Sequence, residues 1–295
     1  MNPPSSIARI FISEAEPRLR AGWRILLQTA LFTLISLLIV LPASLWLQIT
    51  HLAPSTNLLL LQIGSFAALI ISVFFARRYL DRRSFSSLGF QANGKVGRDL
   101  LAGFLIGGFM MGFIYLIECM AGWLTITSFA WQDTPPLKII LSSGIMLLVF
   151  IVAGWQEELY FRGYLLQNIH EGLNLGWGVA VSSLVFGLAH LANPNASLMG
   201  ALGVTMAGLL MAYAYWRTRQ LWLPVGLHIG WNFFEGPLLG FPVSGIGTFQ
   251  LIRNQIAGPT LFTGGSFGPE AGLALLPALV TGATLVFLYT RSAIE

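Results

Sequence analysis

Glu157, Glu158 and Arg162 interrupt an apolar run that begins at Leu137 and resumes through Leu166. A charged side chain in hydrocarbon costs roughly 2.5–3.5 kcal/mol on insertion scales, so charges this closely spaced need partners or a task. Two later apolar segments carry polar breaks of the same kind, Phe186 with His190 and His228 with Asn232. Each pair is spaced i, i+4, which puts both members on one helix face. Glu158 and Arg162 share that spacing with the acid on the N-terminal side, the better orientation for an ion pair along a helix. Glu157 is turned about 100° away from Glu158 and is left unpaired. A free carboxylate in a partly desolvated cavity, beside a cation or an imidazole, has what a general base needs near neutral pH. An imidazole can serve as base, donor or metal ligand, so the residues alone leave the roles of His190 and His228 open.

The elements that must position these groups are membrane spans. The 295-residue chain is 55% hydrophobic and only 9% charged, whereas a soluble domain carries about 25% charged residues. A span needs about 20 apolar residues. Segments at about 25–48, 56–76, 100–121, 137–166, 177–192, 198–216, 221–235 and 271–290 meet or approach that length. They predict an all-α, polytopic membrane protein of about eight transmembrane helices around a mid-membrane polar cavity, organised as one domain, 1–295, with residues 137–235 as its catalytic core. The first segment is too long for a signal-peptide core and lacks a small-residue cleavage site, so it reads as a retained first helix. The fourth is longer than a span requires, which suggests a tilted helix with its charges inside the bilayer. The short fifth and seventh, with internal Gly, Pro or His, have the character of helices that line a polar cavity.

Arg9, Arg18, Arg20 and Arg24 precede the first span. Arg77, Arg78, Arg82, Arg83, Lys95 and Arg98 fill the second link, Arg217 and Arg219 lie between the sixth and seventh spans, and Arg291 follows the eighth. The opposite links hold Lys138 and Arg253. The positive-inside rule then places both termini in the cytoplasm of a multi-pass cell-membrane protein. At about 1.5 Å per residue, Glu157, His190, His228 and Asn232 all fall about 10 to 20 Å from the cytoplasmic face. One cavity can hold all four.

Other chemistries lack their residues. The net charge of +4 sits beside apolar segments and forms no patch with interleaved aromatics, so no nucleic-acid partner is expected. Cys119 is the sole cysteine and has no histidine or asparagine in its segment, which argues against a thiol nucleophile. The chain has no His-Glu-x-x-His and no Gly-x-Ser-x-Gly. Asp81, Asp99 and Asp133 lie at or beyond segment ends, which leaves a paired-aspartate mechanism without candidates. Glu118, His51 and His170 read as interfacial. Gly103 with Gly107 and Gly108 with Gly112 are small-xxx-small spacings that indicate close helix packing on the third span. The Gly/Pro-rich stretch 236–270 reads as an external segment that lies in the interface or re-enters as a lid.

Glu157-Glu158-x-x-x-Arg162, Phe186-x-x-x-His190 and His228-x-x-x-Asn232, in that order and each on an apolar segment, resemble the three motifs of the CAAX protease and bacteriocin-processing (CPBP) intramembrane proteases. That group includes the type II CAAX prenyl endopeptidase and the abortive-infection proteins. The resemblance covers about residues 137–235. It implies peptide hydrolysis within an eight-helix membrane fold, with Glu157 and His190 activating a water and His228 and Asn232 binding the oxyanion. Glu158 and Arg162 would support the site as an ion pair, and Phe186 would pack against its neighbours. The implied partners are the lipid bilayer and a membrane-associated or lipidated peptide, such as a prenylated CAAX-like tail or a leader peptide.

Glu157, His190 and His228 also match the His₂Glu ligand set of a catalytic zinc. Metal-bound histidines normally give their second ring nitrogen to an acceptor, and no carboxylate lies one turn from either histidine, so a reaction without a cofactor is the expectation. A proton-coupled transporter using the same residues as a relay, or a catalytically idle membrane partner, remain as alternatives. A relay has no need of the two convergent donors that His228 and Asn232 supply.

Overall fold

The computed structural model of the chain describes residues 8–13 and 18–291. Six helices are long and apolar enough to cross a membrane: α1 (Ala21–Gln48), α2 (Pro54–Phe75, running on to Leu80), α3 (Val96–Met120), α4 (Pro136–Glu158, continuing to Gly172), α5 (Leu175–Ala189, continuing to Ala192) and α6 (Leu198–Thr218). Two shorter apolar helices, α7 (Trp222–Phe233) and α8 (Leu275–Thr290), complete the set. The chain is therefore a predominantly helical, polytopic membrane protein, with a helix at each of the eight expected segments. The starts follow local rules. Proline opens α2 and α4, where its missing N–H has no helical partner to lose. Asn174 Oδ1 accepts from Trp177 N at 3.0 Å and Ser197 Oγ from Gly200 N at 3.0 Å, capping α5 and α6.

The crossing of α3 with α7 sets the position of two site residues. A Cβ added to Gly103 or Gly107 would lie 2.3 Å from Leu223 O or 2.4 Å from Leu227 O, and one on Gly226 or Gly230 would lie 2.2 Å from Leu100 O or 2.1 Å from Phe104 O. Glycines on both helices thus bring the backbones into direct contact, as small residues do at membrane helix crossings. Gly108 abuts the Phe234 ring, whereas Gly112 faces open space, so only part of the second glycine pair packs. Gly230→Ala should lower the melting temperature in detergent, because overpacking costs about 1–3 kcal/mol even where side chains can yield and here the obstacle is backbone. Gly112→Ala serves as the control and should melt like the unaltered chain. Equal melts for the two variants would contradict this account of the crossing.

At one end of the bundle, Asp81 Oδ1 accepts from Arg24 Nη1 at 2.8 Å and Asp81 Oδ2 from Arg77 Nη1 at 2.9 Å, while Glu171 pairs with Arg18, Arg24 and Arg83. The start of α1, the end of α2 and the end of α4 meet there, so basic residues assigned to one membrane side do converge. At the other end, β1 (Leu124–Phe129) pairs antiparallel with β2 (Ile252–Ile256), and Arg253 grips Asp133 with a bidentate contact at 2.5 and 2.8 Å. Glu118, expected at an interface, is instead fully buried near the end of α3. The segment between α7 and α8 does not simply skirt the bundle: Val243, Ser244, Ile246, Thr248 and Glu270 fold onto a cavity between α4, α5, α6 and α7.

Candidate active site

Glu157 and Glu158 end the α-helical part of α4, and a π-helical turn, Leu159–Leu165, follows with Arg162 in its middle. Such turns widen a helix locally and recur at functional sites. Glu158 and Arg162 are both fully buried, and Arg162 Nη1 donates to Glu158 Oε1 at 2.8 Å, the ion pair that the spacing predicts. Arg162 Nη2 donates to Gly208 O at 3.0 Å, and its guanidinium lies 4.4 Å from the centre of the Phe186 ring, within cation–π range.

The pair has a third member that spacing could not show. Glu158 Oε1 also accepts from His228 Nδ1 at 2.9 Å. That bond, made across 70 residues of sequence, turns Nε2 of His228 toward Glu157 Oε2, at 3.6 Å. Arg162 thus holds Glu158, and Glu158 holds His228. Glu157 keeps 28% of its side chain exposed and faces the cavity, as expected for the unpaired acid.

His190 follows the last α-helical residue of α5 and begins a 3-10 turn. Its Nδ1 lies 2.8 Å from Phe186 O. A carbonyl oxygen only accepts, so Nδ1 carries the proton and the neutral ring presents a lone pair at Nε2. Phe186 does more than fill space: its ring lies 4.8 Å from the His190 ring and 6.0 Å from that of His228, against the Arg162 guanidinium. Its backbone meanwhile sets the His190 tautomer.

Glu157, His190, His228 and Asn232 all line one cavity of about 320 Å³. Phe161, Val204, Ala207 and Met211 are among its apolar walls. The four expected residues are therefore together. Five further polar residues line it that the sequence did not single out: Gln62, Asn193, Ser244, Thr248 and Glu270. Glu270 takes hydrogen bonds from Ser244 N at 2.8 Å and Ser244 Oγ at 2.9 Å, and Asn193 Nδ2 donates to Ser244 O at 3.0 Å. Burial pushes the Glu270 carboxyl above its ordinary range, while His190 and the Ser244 donors oppose that shift. A sequence signal for Glu270 existed only as an acid between two apolar stretches, beside a Gly-Pro turn.

The expectation that neither histidine has an acceptor for its second nitrogen is corrected: Glu158 and the Phe186 carbonyl supply one each. Both Nε2 atoms are thereby held ready to act in the cavity. Among the described residues, however, no three His, Cys, Asp or Glu side chains converge closely enough to hold a metal ion, so the donor set does not fit a zinc centre in this arrangement.

Comparison with known proteins bears on the same segment. Residues 140–234 match the family described as "Type II CAAX prenyl endopeptidase Rce1-like". Over 135 residues, 45% of this chain, the sequence is 30% identical to a Bacillus subtilis (strain 168) protein named "Putative membrane peptidase YdiL". That match spans 52% of the relative, about half its length. The stretch that carries the ion pair, both histidines and Asn232 is thus similar to the Rce1-like type II CAAX prenyl endopeptidases, as the three motifs lead one to expect.

Proposed function

We propose that this protein is an intramembrane endopeptidase that hydrolyses peptide bonds of membrane-associated substrates, with residues 137–235 as its catalytic core. The observation that supports it most is the part-exposed Glu157, committed to no hydrogen bond, in the same cavity as two tautomer-fixed imidazoles and the Asn232 amide. In this reading Glu157 takes a proton from a water that His190 Nε2 also orients, and the water oxygen attacks the substrate carbonyl carbon. The carbonyl oxygen, now an oxyanion, is held by Asn232 Nδ2–H and by His228. His228 already gives its Nδ1–H to Glu158, so it donates from Nε2 only as imidazolium, and the carboxylates on its two sides are the partners that form needs. The C–N bond then breaks, Glu157 returns the proton to the leaving amine, and the products are an amine and a carboxylic acid, which gives its own proton to water on release.

The bilayer and a membrane-anchored or lipidated peptide are the partners this site requires. The end of the bundle with Arg18, Arg24, Arg77 and Arg83 would face the cytoplasm and put both termini there, in the cell membrane. A transporter reading gains less support, since a proton relay leaves the paired donors of His228 and Asn232 without a task. Purified protein dialysed against chelator should keep its peptidase activity with zinc far below stoichiometric amounts. Activity that disappears on chelation and returns with added zinc would replace the water-activating role of Glu157 with metal chemistry. Hydrolysis of no peptide or membrane protein, in a preparation that remains folded, would defeat the protease reading itself.

A further inference from the structure

A chain of side-chain amides reaches the candidate site from α2. Gln62 Nε2 donates to Gln156 Oε1 at 3.1 Å, and Gln156 Nε2 donates to Ser65 Oγ at 3.0 Å. Ser65 lies three positions after Gln62 on the same face of α2, so Gln156 of α4 is gripped between them. The Gln156 amide is then committed at both ends, and the chain of bonds runs out at Gln62. An amide side chain carries two N–H donors and an oxygen acceptor. Gln62 uses one N–H alone: among the described residues its Oε1 and its second N–H have no partner. Gln62 lines the candidate cavity, whereas Gln156 and Ser65 do not. Leu58, one turn earlier on the same face of α2, lines it too and packs with Met146, Val149, Phe150 and Val243, which seats this face of α2 against the cavity wall. Gln156 immediately precedes Glu157, so the bond between the two glutamines fixes α2 against the turn of α4 that carries the proposed base. Holding two helices together is a task met by that single bond. It leaves an amide oxygen and an N–H over, beside the space a substrate would fill.

Resting on the proposed peptidase activity, we infer that Gln62 is a substrate-binding residue that hydrogen-bonds the main chain of the peptide, at a peptide group close to the scissile bond. A peptide group presents one N–H and one C=O, the complement of the acceptor and the donor that Gln62 holds out. Backbone groups carried among apolar walls such as Phe161, Val204, Ala207 and Met211 give up water and need partners of this kind. Gln156 acts as a positioning residue: held by Ser65, it fixes the Gln62 amide in one orientation before substrate arrives, which lowers the cost of ordering it on binding. Recognition of the main chain reads no side chain, so it adds affinity without narrowing the substrate's sequence.

A series of quenched fluorescent peptides anchored by an acyl chain tests this, each with one backbone amide near the scissile bond replaced by an ester and the cleaved bond left as an amide. An ester has no N–H and is a weaker acceptor, at little change in shape. For the unaltered protein one position should stand out, with kcat/KM about three- to tenfold below that of the all-amide peptide, the worth of one neutral hydrogen bond, mainly through KM. Gln62→Met removes the amide at nearly the same length. It should lose about as much on the all-amide peptide, and the ester at that position should then cost it nothing further. Penalties that simply add at every position, or full activity in Gln62→Met, overturn the inference and leave the peptidase reading standing. A role confined to holding α2 on α4 lowers the melting temperature and gives that additive result. If Gln62→Met does not fold, Gln62→Asn, which keeps an amide one methylene shorter, goes through the same cycle and is read by the same outcomes. Failure to cleave any peptide of the series or a membrane proteome defeats the peptidase reading, and this inference with it.

Discussion

Glu157→Gln should reduce peptide hydrolysis by about 10²- to 10⁴-fold, the usual contribution of a positioned general base. The amide keeps the shape of the side chain but cannot take a proton from water. Stability should change little, because Glu157 is part-exposed and its contact with His228 Nε2, at 3.6 Å, is longer than a hydrogen bond. Melting curves and expression in membranes check the second half of this expectation. The first is checked by comparing peptides released from membranes that carry the unaltered protein or the variant. Retention of more than about a tenth of the rate would remove Glu157 from the water-activating role.

Much of the site was legible because membrane burial makes polar residues conspicuous. Glu157, Glu158 and Arg162 stand out in hydrocarbon, and the i, i+4 rule pairs the right two of them. The same rule places His190 over Phe186, although its partner there is the backbone carbonyl and not the ring alone. Contacts between helices were not legible. Nothing local to Glu158 points to His228, since their meeting depends on where α7 crosses the bundle, and that is set by the glycine contacts with α3. The glycine spacing on α3 announced a close approach but not its partner. Glu270 was missed for a different reason. It lies outside every span, in a Gly/Pro-rich stretch whose path is determined by tertiary bonds such as Ser244 to Glu270 and by the pairing of β1 with β2, and neither leaves a periodic pattern. That stretch could be recognised as apolar for an external segment, which its fold onto the cavity explains.

Arg162→Ala should damage stability more than any other single change at the site. Removing the guanidinium leaves the fully buried Glu158 carboxylate without its cation and the Gly208 carbonyl without its donor. Breaking a buried pair by deleting one partner costs about 3–5 kcal/mol. Phe186 also loses the cation stacked on its ring. Glu158→Gln combined with Arg162→Gln should recover much of that loss, because two neutral amides can bond each other and neither strands a charge in the interior. Activity should not return with stability. Glu158 takes the Nδ1 proton of His228, and an amide oxygen in its place still orients the ring but no longer supplies the negative charge that an imidazolium beside it requires. Melts and peptidase rates measured on the two single variants and the double variant therefore separate the two roles of Glu158. Strictly additive losses of stability would contradict the pairing, and a double variant that regains full peptidase activity along with its stability would show that Glu158 supports the helix without acting through His228.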